Sequence, residues 1–336
     1  MYCFYKEKLG CNHAIFCVRN VIDFFVQNDS TVNICCLDVS KAFDRLNHNC
    51  LMYKLLKKGV PIFLINVLIN WYSKLSAKVR WGKTVSPWIS ISCGIRQGGV
   101  LSPILFCVYV DNVLIALSGY GCTMNSLSCG SFMYADDLIL LSPSISELKV
   151  MVQICCNELQ ALNLKLNTQK SCCLRIGKNF FAKCPSISTN SGNIPWVNEA
   201  KYLGLTILSG KRFKISLVQT KCKFYSCFNE LYSKLGRLLD ISVITHLLQT
   251  MALPILLYAL ESINLNKTEL NSLEFTLTRA IYKIFKVSGN DNIKFCMKMY
   301  GINNITDCLS RRKDTFMKKL ICTDNIMLET YYKVKY

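Results

Sequence analysis

Apolar positions in this chain follow two rhythms. Through the first two thirds, short β-branched or cysteine-rich runs alternate with stretches of helical spacing. Thr31–Leu37 (TVNICCL) is a short β-branched and cysteine run that ends at Asp38, which predicts a buried strand. Residues 50–58 and 63–75 predict helices, with Pro61 between them as a helix starter. Lys78–Trp81 and Trp88–Ile91 predict strands flanking a turn over 82–87. Ser102 followed by Pro103 predicts a helix to Leu117, with Ser102 as N-cap and Pro103 at the first helical position. Ser131–Tyr134 and Leu138–Leu141 predict a tight hairpin through Ala135, Asp136 and Asp137. An amphipathic helix over 144–162 and strands at Leu164–Leu166, Cys172–Ile176 and Lys201–Leu208 follow. After Ser209–Gly210 the spacing turns helical, over 211–260 and 267–320, and no fixed-period repeat occurs. The expectation is an α+β domain followed by a smaller helical one, with the boundary near residue 210.

Composition narrows the function classes. The chain has 336 residues, 51% apolar and 18% charged, which excludes a disordered tail or a low-complexity linker. Lysine and arginine number 40 against 21 acids, a net charge of +19. That favours a polyanionic partner, nucleic acid before an anionic membrane surface. The apolar stretch 100–117 is broken by Ser102, Pro103, Asp111 and Asn112, and Pro254 interrupts the short run 251–260, so no membrane span is expected. The N-terminus lacks the features of a signal peptide, which predicts an intracellular protein, cytoplasmic or nuclear rather than secreted. Twenty cysteines lie largely in apolar strings, without any C-x2-C pair and with only three histidines, so reduced core thiols are expected rather than a zinc site.

The charges are unevenly spread. Between Arg96 and Lys149 there is no cation, while Asp111, Asp136, Asp137 and Glu147 fall inside that gap. A buried segment accounts for the missing cations. It does not account for two adjacent aspartates between strands. Asp136 and Asp137 have two readings, an ordinary exposed turn or part of an acidic site. The second needs a third carboxylate, and Asp38, ending a buried strand, is the candidate. Carboxylates gathered from separate strand ends suit Mg2+, and a pair of such ions about 3.5–4 Å apart serves phosphoryl transfer.

Five segments carry a resemblance: LDVSKAFDRLNH (37–48), GIRQGGVLSPILFCVYVDNV (94–113), YADD (134–137), LNTQKS (166–171) and KYLGLTI (201–207). In this order they resemble the palm of a reverse transcriptase of the non-LTR (LINE-type) retrotransposons. The resemblance implies a right-hand polymerase palm, an antiparallel sheet with helices on one face, over 31–210, a helical thumb with C-terminal helices over 211–336, and a fingers remnant over 1–30. It implies an RNA-directed DNA polymerase that adds dNTPs to a DNA primer on an RNA template, with no membrane partner. Asp38, Asp136 and Asp137 would bind two Mg2+ ions. Lys170 would stand near the triphosphate, and Val39, Phe43, Gln97 and Gly98 would meet the nucleotide. Tyr202, Leu203 and Gly204 would grip the primer, and Arg96, Lys221 and Lys223 would contact nucleic-acid backbone. Each aromatic or lysine in that set could equally be plain core packing or a solvated charge. Asp44 reads equally as a ligand or as a cap of the following helix.

The chain opens 37 residues before Asp38, where the family carries a fingers region, and Cys3 and Tyr5 replace the glycine and arginine of its opening motif. An N-terminally truncated element is therefore expected. The alternative function is an inactive retroelement remnant that at most binds nucleic acid.

Overall fold

The computed structural model of the chain describes residues 9–235 and 240–321. The opening motif at residues 3–8 lies outside that range, as do residues 322–336 of the expected C-terminal helices. Two compact units form. The first is chiefly Val21–Ala200 with Ser209–Arg212; the second gathers Cys11–Asn20, Lys201–Leu208 and the chain from Phe213 onward.

The first unit is built on a four-stranded antiparallel sheet. Its order is Cys172–Gly177, Thr31–Leu37, Asp137–Ser142, Ser131–Tyr134, so the strand that ends at Asp38 lies inside the sheet. Every residue from Val32 to Leu37 is buried. The polar exception, Asn33, donates to the carbonyls of Ser142 and Pro143 and accepts from Arg175 Nε at 2.8 Å, so the buried arginine and amide satisfy each other. Cys35 and Leu37, with Leu138 and Leu140, belong to a core that includes Leu51 and Leu55 of the helix His48–Lys57, Phe106 and Tyr109 of Ser102–Ala116, and Met151 and Cys155 of Ile145–Ala161. Each fully buried side chain of this kind stabilises by about 1.5–3 kcal/mol.

Local chemistry sets the element ends. Asn47, rather than Asp44, caps the helix His48–Lys57, its side chain accepting from Cys50 N at 3.0 Å. Ser144, expected inside its helix, instead caps Ile145–Ala161, its side chain accepting from Glu147 N. Ser102 does not cap its helix: the cap position is Leu101, and Ser102 Oγ donates to the Arg96 carbonyl at 2.5 Å. The hairpin turn is shorter than expected. Asp137 already pairs with Tyr134, leaving only Ala135, at φ +54°, and Asp136 in the loop. Leu164–Leu166 contributes a single bridge, Val39 to Leu166.

Between Leu75 and Ile91 the chain forms one long ribbon of two short ladders. Ser76 and Ala77 pair with Ser90 and Ile89, while Arg80 and Trp81 pair with Val85 and Thr84. The two registers differ by one residue, a bulge next to Pro87, which has no N–H to give the ladder. The bulge replaces the two longer strands that the spacing predicts.

The second unit contains strands Leu205–Leu208 and Lys214–Ser216, which complete a three-stranded sheet with Glu199–Tyr202. KYLGLTIL is thus two strands, turned at Leu203 and Gly204, and Lys214–Ser216 interrupts the helical pattern expected after 210. Helices Val218–Leu235, Lys267–Phe285, Asn290–Met299 and Ile305–Ile321 follow. Asn266 and Glu269 form a reciprocal capping box. Leu248–Ala252 widens into a π turn just before Pro254, whose missing N–H leaves that stretch of helix a donor short. No helix among the described residues is long and apolar enough to cross a membrane.

Two outcomes follow from this packing. Gly94 has φ +89°, and a Cβ there would come within 2.7 Å of the Asp44 carbonyl. Gly94→Ala should therefore cost about 1–3 kcal/mol, read as a lower urea midpoint with unchanged m-value. Burial pushes the Cys122 and Cys155 thiols up, whereas Cys93 and Cys222 are exposed. Iodoacetamide on the native chain at mildly alkaline pH should alkylate Cys93 and Cys222 well before Cys122 and Cys155, read by peptide mass spectrometry.

Candidate active site

The Thr31–Leu37 strand delivers Asp38 to the end of the sheet, and the segment 165–171 fixes it there. Asp38 N–H donates to Ser171 Oγ at 3.1 Å, and Ser171 Oγ–H donates in turn to the Asn167 carbonyl at 2.8 Å. Asn167 N–H donates to the Asp38 carbonyl at 2.8 Å, and Ser40 N–H to the Lys165 carbonyl at 2.9 Å. Both backbone groups of Asp38 are thereby occupied, while its carboxylate has no hydrogen bond or ion pair among the described residues.

The hairpin brings the other acids to the same end. The last ladder pair between the two central strands is Leu37 with Leu138, so Asp38 and Asp137 stand opposite one another one residue further on. Asp136 lies in the turn itself. Asp38 and Asp136 line one pocket of about 490 Å3, together with Val39, Phe43, Gln97 and Lys170. Asp137 is not among its lining residues, though its charge acts on the neighbouring thiol: Cys36 is pushed up by its hydrogen bond with Cys172, by burial and, last, by Asp137. A second cavity of about 680 Å3 shares Ser40 and Arg45 with the first and has no carboxylate in its lining.

Lys41, Arg45 and Lys170 also line the acid-bearing pocket, and all three are exposed. Phe43 reaches it from the apolar side. Its ring stacks on Phe106 with centroids 4.7 Å apart and 24° between planes, and Phe106 is fully buried, so the ring has a fixed back wall. The loop after Gly94 is fastened to the same segment. Gly94 N–H donates to the Leu46 carbonyl and Ile95 N–H to the Phe43 carbonyl, at 2.7 and 2.8 Å. Gln97 Nε2 donates to Asp44 Oδ1 at 3.3 Å. Asp44 thus anchors Gln97. Gly98 follows at φ +79° and lies outside the pocket lining. Arg96 lines a neighbouring cavity.

The remaining expected residues belong to the second unit. Leu203 at φ +43° and Gly204 at φ +83° turn the chain. Tyr258 Oη–H donates to the Leu203 carbonyl at 3.3 Å, and its ring leaves a Gly204 Cβ only 3.0 Å of room. Burial pushes that phenol up to about 12. Tyr202 is buried. Lys221 donates to Ser272 Oγ, whereas Lys223 is exposed.

The donor set of the pocket suits a hard divalent cation. Two carboxylates line it, and neither histidine nor cysteine does. No group of three or more His, Cys, Asp or Glu among the described residues is placed to hold a metal ion. A site completed by substrate phosphates needs no such cage, because Mg2+ is commonly held by one or two carboxylates with phosphate and water supplying the rest. The pocket brings together Asp38, Asp136, Phe43 and Lys170, four of the residues singled out in the sequence. Sequence reasoning missed Asn167 and Ser171 as the clamp on Asp38, although both stand inside the LNTQKS segment.

The family described as reverse transcriptase (RNA-dependent DNA polymerase) matches residues 12–207. The polyprotein of retrotransposable element R2DM of Drosophila melanogaster is 30% identical over 189 residues, which are 53% of this chain and 18% of that protein. The R2 polyprotein of Popillia japonica is 25% identical over 279 residues, 79% of this chain and 44% of that protein. The chain therefore spans less than half the length of these curated relatives. Among solved structures, a telomerase from Candida albicans aligns with 90% of this chain and 56% of its own, at 13% identity and a TM-score of 0.48.

Proposed function

The chain belongs to the reverse transcriptase (RNA-dependent DNA polymerase) family, and from that premise we propose that its pocket adds deoxynucleotides to a DNA primer on an RNA template, as the polymerase of a non-LTR retrotransposon does. The observation that carries the reading is one cavity lined by Asp38 from a strand end, Asp136 from a hairpin turn, and Phe43, Gln97 and Lys170 beside them. The reaction joins the primer O3′ to the α-phosphorus of the dNTP and releases pyrophosphate.

Asp38 and Asp136 would hold divalent cations, Mg2+ by the chemistry of the donors, with Asp137 completing the acidic cluster. The chemistry so supplied is neutralisation of the charge that gathers on the phosphate oxygens. Lys170, exposed at the rim, meets the β- and γ-phosphates and can give a proton to the departing pyrophosphate. Lys41 and Arg45 add positive potential for the incoming triphosphate. Phe43, braced by Phe106, presents a flat wall to the sugar, and a 2′-hydroxyl meets that wall as a clash. Val39 and Gln97 line the nucleotide pocket, and Gly98, next to Gln97 and outside that lining, is assigned with Gln97 to base and template. The braced turn at Tyr202, Leu203 and Gly204 is assigned to the primer terminus, and Arg96, Lys221 and Lys223 to phosphates. The free thiols suit a reducing compartment, cytoplasm or nucleus.

Two measurements test this. Primer extension on an RNA template with Mg2+ and dNTPs should be seen for the chain, and Asp136→Ala should lower it by more than the roughly 10–100-fold that loss of an outer-shell partner costs. No extension by the parent chain would leave an inactive protein that at most binds nucleic acid. Phe43→Val should retain dNTP extension while accepting ribonucleotides; unchanged sugar discrimination would remove Phe43 from the nucleotide site.

A further inference from the structure

The ribbon over 76–90 has no part in the chemistry above, and its charge pattern is unusual. Between Asp44 and Asp111 the sequence has no aspartate or glutamate, while nine lysines and arginines fall there. The strands of the ribbon are exposed along their whole length. Two tryptophans stand on it, Trp81 at 86% and Trp88 at 68% exposure. A two-stranded ribbon with both faces in water is marginally stable by itself, so large apolar rings displayed on one need a separate explanation.

The two faces differ. Paired residues share a face and neighbours along a strand alternate. Arg80 pairs with Val85, and Lys78 Nζ lies 4.3 Å from the centre of the Trp88 ring, so Lys78, Arg80 and Trp88 occupy one face. Trp81, paired with Thr84, occupies the other. Lys78 and Trp88 also line a cavity of about 600 Å3 with Arg96, Gln97 and Asp44. Gln97 in turn lines the pocket of Asp38 and Asp136. Among the described residues none of Lys78, Arg80 and Arg96 has an acidic partner.

We propose that the Lys78–Arg80–Trp88 face of the ribbon, with the adjoining cavity at Arg96, is a docking surface for a single-stranded polynucleotide, lying beside the pocket that holds the acids. A stacking ring and cations side by side match the repeat of an unpaired strand, one base and one phosphate at a time. The ribbon itself carries no acid, and Asp44, the one carboxylate in the adjoining cavity, is engaged by Gln97 Nε2, so the phosphates meet mainly cations. The surface reads no sequence, because any base presents a π face. An anionic lipid surface also takes tryptophan and lysine, but it favours apolar groups gathered on one side with the cations opposite. Here the ring and the cations share a face. The proposal rests on the polymerase reading only for the identity of the strand, a template running toward the pocket; the docking chemistry stands without it.

The test is fluorescence anisotropy of the full chain with a labelled single-stranded RNA of mixed sequence, in EDTA so that no catalysis enters. The single-stranded DNA of the same sequence, its duplex, and phosphatidylserine vesicles are parallel arms. Trp88→Ala should weaken single-strand binding by about fivefold or more, Trp88→Phe should restore most of it, and Trp81→Ala should leave it unchanged. Lys78→Gln with Arg80→Gln should lower the salt slope by about 0.7 for each cation removed. The RNA and DNA arms show which strand is preferred. Either preference supports the surface. Binding indifferent to Trp88→Ala, an equal loss with Trp81→Ala, or Trp88-dependent binding to vesicles alone overturns it. Loss of primer extension with Trp88-dependent binding intact would strike the polymerase reading alone. Extension with Trp88-independent binding would strike this one alone.

Discussion

The clamp on the Asp38 backbone is the constraint on which the rest of the first unit depends. A carboxylate at the end of a buried strand is costly unless its surroundings hold it for a purpose. Here the Asp38 N–H and carbonyl are both satisfied by the 167–171 turn, through Ser171 Oγ and Asn167 N–H. The side chain is left to the pocket. Removing either partner would free the strand end as well as a hydrogen bond, because the same turn sets Lys170 on the pocket rim.

The acids and the cations are organised at different levels. Asp38 and Asp136 reach one pocket because the strand Thr31–Leu37 pairs with Asp137–Ser142 and the hairpin turn lies at that same end of the sheet. The cations around them come from less regular chain: Lys41 and Arg45 after the strand, Lys170 in the clamp turn. Buried charge elsewhere is treated oppositely. Asp111 is sealed in the core against Lys58, and Arg175 is consumed by Asn33 and nearby carbonyls. The Asp38 carboxylate, by contrast, is left facing a pocket where a polyphosphate and its cations would supply partners.

The apolar support is equally specific. Phe43 and Phe106 stack, the loop after Gly94 is tied to Phe43 and Leu46 through backbone bonds, and Gln97 is anchored by Asp44. A single short segment, 38–48, therefore carries an acid, an aromatic wall and the attachment of the Gln97 loop. Rigid packing of that segment is what keeps these groups within one cavity.

Much of this was legible in the sequence. The strand Thr31–Leu37 declared itself by a short β-branched and cysteine run, the hairpin by two apolar runs around a short turn, and the Ile145–Ala161 helix by its amphipathic spacing. The five motifs in order, and the acids within them, pointed to polymerase chemistry before any coordinates. Local pattern failed where the folded chain offered a group a different partner. Ser102 reads as a cap but bonds the Arg96 carbonyl, Asp44 reads as a cap but holds Gln97, and Pro87 turns two expected strands into a bulged ribbon. The sequence alone determined which residues are chemically able to form the site. Only tertiary structure decided that Asp38 meets Ser171, 133 positions away, and faces Asp137 in register. Pairing over such separations is chosen by the burial and loop closure of the whole sheet, which no window of neighbouring residues contains.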